Sequence, residues 1–90
     1  MTEVHLYDFY ADWCGPCKAM EPMIDELAEE DNGINVKKID VDSEEGQALA
    51  GQFGVQGLPT LMLLDENENP QKMFNGSTAK SDILETAHSL

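Results

Sequence analysis

The chain has 90 residues, 41% of them hydrophobic and 26% charged, which suits one domain over 1–90 with one packed core and excludes a disordered polyelectrolyte. No apolar run approaches the roughly 18 residues needed to span a bilayer, so no membrane partner is expected. Eighteen acids against five lysines give a net charge of −13, which repels nucleic acid.

The acids (Glu3, Asp12, Asp25, Glu29, Asp42, Glu66 and Asp82 among them) are spread along the chain instead of forming a tail. This pattern reads either as an ordinary acidic domain or as adaptation to a salt-rich cytoplasm, where screening relieves self-repulsion. The opening Met-Thr-Glu-Val-His lacks a basic segment followed by an apolar one, so no signal peptide is expected and the cytoplasm is the simplest compartment.

Residues 3–10 are nearly continuous in β-branched, aromatic and aliphatic types, which predicts a strand covered on both faces. Cys14-Gly15-Pro16-Cys17 opens a helix, with Pro16 tolerated in its first turn. Met20, Met23, Ile24, Leu27 and Ala28 follow at helical spacing; Pro22 interrupts the pattern and predicts a kink, and Asn32-Gly33 an end. A second strand is predicted over 34–41. A short helix begins at Ser43, runs through Ala48, Leu49 and Phe53, and closes at Gly54. Strands at 60–64 and 71–75 flank a polar turn at 65–69, and Ser77 or Thr78 caps a last helix carrying Ile83, Leu84 and Ala87. The order βαβαββα, with a right-handed crossover between the first two strands, predicts an α/β fold: a four-stranded mixed sheet flanked by three helices.

Two cysteines three apart close too small a loop to stabilise the fold much, so in a cytosolic chain they read as redox or metal chemistry. His5 and His88 lie at opposite ends of the chain, and no second C-x-x-C completes tetrahedral ligation, so no metal is expected. The five methionines mostly fall at core spacing. No Gly-rich dinucleotide fingerprint is present, so the chain is expected to carry no cofactor of its own. Cys14 at a helix N-terminus meets free N–H groups and the positive end of the macrodipole, which lower a thiol pKa and make it the expected nucleophile. Cys17, one turn further in, is expected to be more deeply buried and to act as the resolving thiol. Gly15 and Pro16 add no charge, so the pair is expected at the reducing end of the scale, near about −270 mV.

The stretch Asp8-Phe9-Tyr10-Ala11-Asp12-Trp13-Cys14-Gly15-Pro16-Cys17-Lys18 resembles the active-site segment of the thioredoxin family, and Gly57-Leu58-Pro59-Thr60 resembles its cis-proline loop. Pro22, Lys38 and Gly76 match as well, so the likeness spans essentially the whole chain. Against the family's usual order the chain starts at the central strand, without the leading strand and helix, as in short archaeal, and by its acidity haloarchaeal, thioredoxin- or glutaredoxin-like proteins. Strand 34–41 is then an exposed edge on which Lys37 and Lys38 discourage pairing.

The resemblance implies a monomeric protein-disulfide reductase that serves cell redox homeostasis and is recycled by a flavin-dependent thioredoxin reductase. Cys14, Cys17 and Asp8 would be its catalytic residues, with Asp8 accepting the proton of Cys17; the structural alternative pairs Asp8 with Lys38. A cis Pro59 would turn the Leu58 backbone toward the cysteines, where an extended substrate can add as a strand. Trp13, Val41, Gly57, Leu58 and Gly76 would form an apolar groove around Cys14. The nearest alternative is a glutathione-dependent glutaredoxin, disfavoured by Pro16 and by the lack of arginine; the other is a non-catalytic module of the same fold, disfavoured by the intact cysteines.

Overall fold

The computed structural model describes residues 3–90; Met1 and Thr2, part of the segment read for a signal peptide, lie outside the described residues. Strand β1 (Val4–Tyr10) is followed by α1 (Gly15–Glu29), β2 (Ile34–Asp40), α2 (Glu44–Phe53), β3 (Thr60–Leu64), β4 (Pro70–Asn75) and α3 (Lys80–His88). The sheet order is β2-β1-β3-β4. β1 and β2 pair in parallel from Val4↔Ile34 to Tyr10↔Asp40, while β3 is antiparallel to both β1 and β4. The predicted α/β fold, with three helices and a four-stranded mixed sheet, is the observed one.

Strand alternation divides the core. Val4 and Leu6 of β1 point with Leu61 and Leu63 of β3 toward Met20, Ile24 and Leu27 of α1 and Ile83 and Ala87 of α3. Tyr7 and Phe9 point the other way, with Met62 and Leu64, toward Leu49, Ala50 and Phe53 of α2. Tyr7, Phe9 and Phe53 meet edge to face, with centroids 6.0–6.4 Å apart. Ala28 and Ala48 sit on exposed faces of their helices.

Two helix boundaries depart from expectation. α1 runs unbroken through Pro22 but stops at Glu29, with Glu30 already extended. Asn32 closes that end with its side chain: Nδ2 donates to the Leu27 carbonyl (3.0 Å) and Oδ1 accepts from the Ile34 N–H (2.9 Å). At α3 neither Ser77 nor Thr78 is the cap. Ala79 occupies that position without a side-chain bond, because the Thr78 hydroxyl donates to the Gly76 carbonyl instead (3.0 Å). α2 follows the sequence reading, with Ser43 Oγ accepting from the Gly46 N–H (2.9 Å) and Gly54 left-handed at φ 72°.

Candidate active site

The sheet delivers β1 to one end of the molecule, where buried Ala11 accepts from the Cys14 N–H (3.1 Å) and turns the chain into α1. Cys14 is the N-cap residue, extended at φ −89° and ψ 106°. Its Sγ accepts from the Cys17 N–H at 3.2 Å, the place an oxygen takes in an ordinary cap. No acidic residue stands in the first turn of α1, so in a chain of net charge −13 this helix end keeps its positive field. Cys14 and Cys17 are joined as a disulfide, with Cα atoms 5.3 Å apart. The expectation that Cys17 is the more buried of the two is not met in this oxidised state: Cys14 is 5% exposed and Cys17 8%. The physical reason is that both cysteines sit in one apolar cluster. Both pack with Ala11 against Tyr10, Val41 and Leu58, and of the two only Cys17 also lines a polar pocket.

The Leu58–Pro59 bond is cis, as the loop's sequence suggested. Thr60 Oγ1 donates to the Gly57 carbonyl (2.6 Å) and the Gly76 N–H to the Pro59 carbonyl (2.9 Å), fixing the loop against β4. Trp13, Val41, Gly57 and Leu58 line one cleft of about 420 Å³. Gly76 does not: at φ 87° it belongs to the turn that holds Pro59. Ala50, Val55 and Gln56 complete the lining and were missed. The helical spacing of Ala50 after Gly46, and a β-branched residue directly after the Gly54 cap, were the signals available. Trp13, 71% exposed, forms the outer wall, and its indole N–H donates to Asp42 Oδ2 at 2.9 Å.

Asp8 lies on the Val4–Leu6 face of β1 and is 8% exposed. Burial pushes its carboxyl up to about 6; Lys38 pulls the other way, while Glu21 and Asp25 add to the rise. Asp8, Cys17 and Lys38 line a pocket of about 180 Å³ together with Tyr10, Asp12, Lys18 and Glu21. The suggested Asp8–Lys38 pair is not formed, although the two residues face each other across β1 and β2. Lys38 Nζ bonds Asp25 Oδ1 at 2.6 Å instead, because α1 brings that carboxylate over the strand. His5 meets the Asn35 side chain and His88 the Asn32 carbonyl, each at 3.2 Å.

The thioredoxin family model matches residues 1–89. The chain belongs to the thioredoxin family. A thioredoxin from Bacillus subtilis is 45% identical over 65 residues, covering 72% of this chain and 62% of that protein. One from Pyropia yezoensis is 38% identical over 82 residues, covering 90% and 74%. Among solved structures, a mutant thioredoxin from Halobacterium salinarum superimposes with a TM-score of 0.86 at 42% identity, covering 97% of this chain and 74% of that one. The chain thus spans between 62% and 74% of the length of these thioredoxins. Membership together with the Cys14–Cys17 pair makes it a thiol–disulfide oxidoreductase acting on disulfide substrates, and the glutaredoxin alternative gains no support.

Proposed function

We propose that the chain reduces protein disulfides in the cytoplasm of a salt-rich cell, as a monomer of one domain over 1–90. The reduced Cys14 thiolate attacks one sulfur of the substrate disulfide and forms a mixed disulfide, releasing the first substrate thiolate. Asp8 takes the proton of Cys17, directly or through a water in the polar pocket. The Cys17 thiolate then attacks Cys14 Sγ, expels the second substrate thiolate and leaves the Cys14–Cys17 disulfide. Two electrons pass to the substrate. A flavin-dependent thioredoxin reductase returns them from NADPH or ferredoxin; the chain itself carries no cofactor.

The observation that carries this reading is the Cys14 sulfur in the capping position of α1, accepting the Cys17 N–H at 3.2 Å. Trp13, Val41, Gly57 and Leu58 would hold the peptide on either side of the substrate disulfide, with Pro59 and Gly76 shaping the loop and Gly15, Pro16 and Lys38 supporting the site. The salt-rich setting is supported by the net charge of −13 and by the likeness to the Halobacterium protein. Reduction of insulin by the chain, coupled to a thioredoxin reductase and NADPH, tests the activity; turnover that requires glutathione instead would favour a glutaredoxin.

A further inference from the structure

The carboxylates around Asp8 form a cluster that the thiol chemistry leaves unused. From α1, Glu21 and Lys18 line the Asp8 pocket, and Asp25 holds Lys38 at 2.6 Å. From β2, Lys38 stands opposite Asp8 in the register. From the loop after β1, Asp12 completes the wall, and Tyr10 lies on β1 itself. On its other side Asp8 pairs with Leu61 of β3, which carries no charge. Lys38 is therefore the cation best placed to stabilise the Asp8 carboxylate, and its ammonium is engaged by a different acid.

We propose that Glu21 and Asp25 set the pH at which Asp8 releases its proton, Glu21 by adding negative charge to the pocket wall and Asp25 by keeping Lys38 engaged away from it. Both are exposed residues of α1, so neither contributes to the packed core. Each disfavours a second negative charge in a small, partly desolvated space, where charge interactions are weakly screened. The direction agrees with the contributions to the Asp8 shift, where burial dominates, Lys38 opposes and Glu21 and Asp25 reinforce. The consequence for the reaction rests on the proposed role of Asp8 as proton acceptor. A base that stays protonated toward neutrality confines rapid resolution to higher pH, and the two positioning residues fix where that limit falls.

The Asp8 carboxyl carbon, followed by NMR in the oxidised protein at one fixed salt concentration, reads the titration without interference from the cysteines. Glu21→Gln is expected to lower the midpoint by about half a pH unit, a roughly threefold change in proton affinity. Asp25→Ala, which also releases Lys38, is expected to lower it at least as far, and Lys38→Met to raise it. Resolution of a mixed disulfide, measured across the same pH range, should show its acid limb displaced in the same order. A Glu21→Gln midpoint coincident with the wild type overturns the proposal, and an unmoved Asp25→Ala midpoint overturns the part assigned to Lys38. Midpoints that move while the resolution profile stays fixed uphold the tuning and overturn instead the reading of Asp8 as proton acceptor.

Discussion

The indole N–H of Trp13 donates to Asp42 Oδ2 at 2.9 Å, so the most exposed aromatic among the described residues is held by the residue that follows Val41 of the cleft lining. An exposed Trp has freedom to lose on binding a substrate, and this bond removes part of it beforehand. Asp42→Ala should therefore weaken substrate binding more than chemistry. An exposed hydrogen bond of this kind contributes about 1 kcal/mol, so KM for a protein disulfide should rise roughly three- to tenfold with kcat nearly unchanged. Steady-state kinetics with insulin would measure this, and the anisotropy of the single tryptophan should fall in the same variant. Equal KM values with unchanged anisotropy would show that the bond does not order Trp13.

Asp8 gives a prediction about stability whose sign follows from its raised pKa. A carboxyl that titrates at about 6 in the folded chain and near 4 when unfolded binds its proton more tightly when folded. Its presence costs nothing below about pH 4, costs progressively more between 4 and 6, and reaches its full penalty above that. Asp8→Asn removes the penalty. The variant should be more stable than the parent by about 1–3 kcal/mol at pH 7, with the difference closing toward pH 4. Paired urea titrations at several pH values measure it, together with slower insulin reduction. A constant difference across pH would mean that Asp8 does not titrate in this range.

Gly46 marks what was hidden in the sequence. It was legible as part of a helix start, and Ser43 and Gly54 bounded that helix correctly. Nothing in the sequence disclosed that a Cβ on Gly46 would collide with the Asp40 carbonyl oxygen at the end of β2. Gly46→Ala should cost about 2–4 kcal/mol, because backbone must shift to admit the methyl group. The same substitution at Gly51, where a Cβ meets nothing within 4 Å, should be neutral or stabilising. Denaturant melts of the two variants make the comparison; equal stabilities would mean that α2 moves freely against β2.

The strands, their order and the cysteine motif were legible because each rests on local pattern: apolar runs, turn residues, a thiol pair before a helical repeat. What failed depended on contacts between distant segments. Lys38 could be matched with Asp8 from the strand register, but its partner Asp25 is chosen by the rotation of α1 over the sheet. The resemblance puts Gly76 in the groove, whereas its N–H binds the Pro59 carbonyl and it is not among the residues lining the cleft. Thr78 had the right chemistry for a cap and used it on Gly76.

Salt should stabilise the fold in two stages. The lysines are heavily committed: Lys37 to Glu45, Lys38 to Asp25, and Lys80 to Glu26 and Glu30. The remaining acids repel one another. Screening of that repulsion is mostly complete near about 0.15 M, where the Debye length is roughly 8 Å. A gain continuing into molar KCl must come from hydration and salt exclusion. Thermal melts from about 0.05 to 3 M KCl separate the stages. A melting temperature that is flat throughout removes the high-salt reading.

The two cysteines should behave differently once reduced. Cys14 caps α1 and receives the Cys17 N–H, so its thiolate is stabilised by a donor and by the helix end. Cys17 lies inside the first turn beside Asp8, whose negative charge above about pH 6 disfavours a second anion. At pH 7, Cys14 should therefore alkylate rapidly and Cys17 slowly, although both are covered in the disulfide form. Cys14→Ser removes the nucleophile and should abolish disulfide exchange. Cys17→Ser still attacks and cannot resolve, so incubation with an oxidised protein substrate should accumulate a covalent adduct on a non-reducing gel that dithiothreitol releases. Similar exposure of the two residues makes this a test of electrostatics more than of access. If Cys14→Ser alone trapped substrate, the positive end of α1 would not be selecting the nucleophile, and the roles of the two thiols would be reversed.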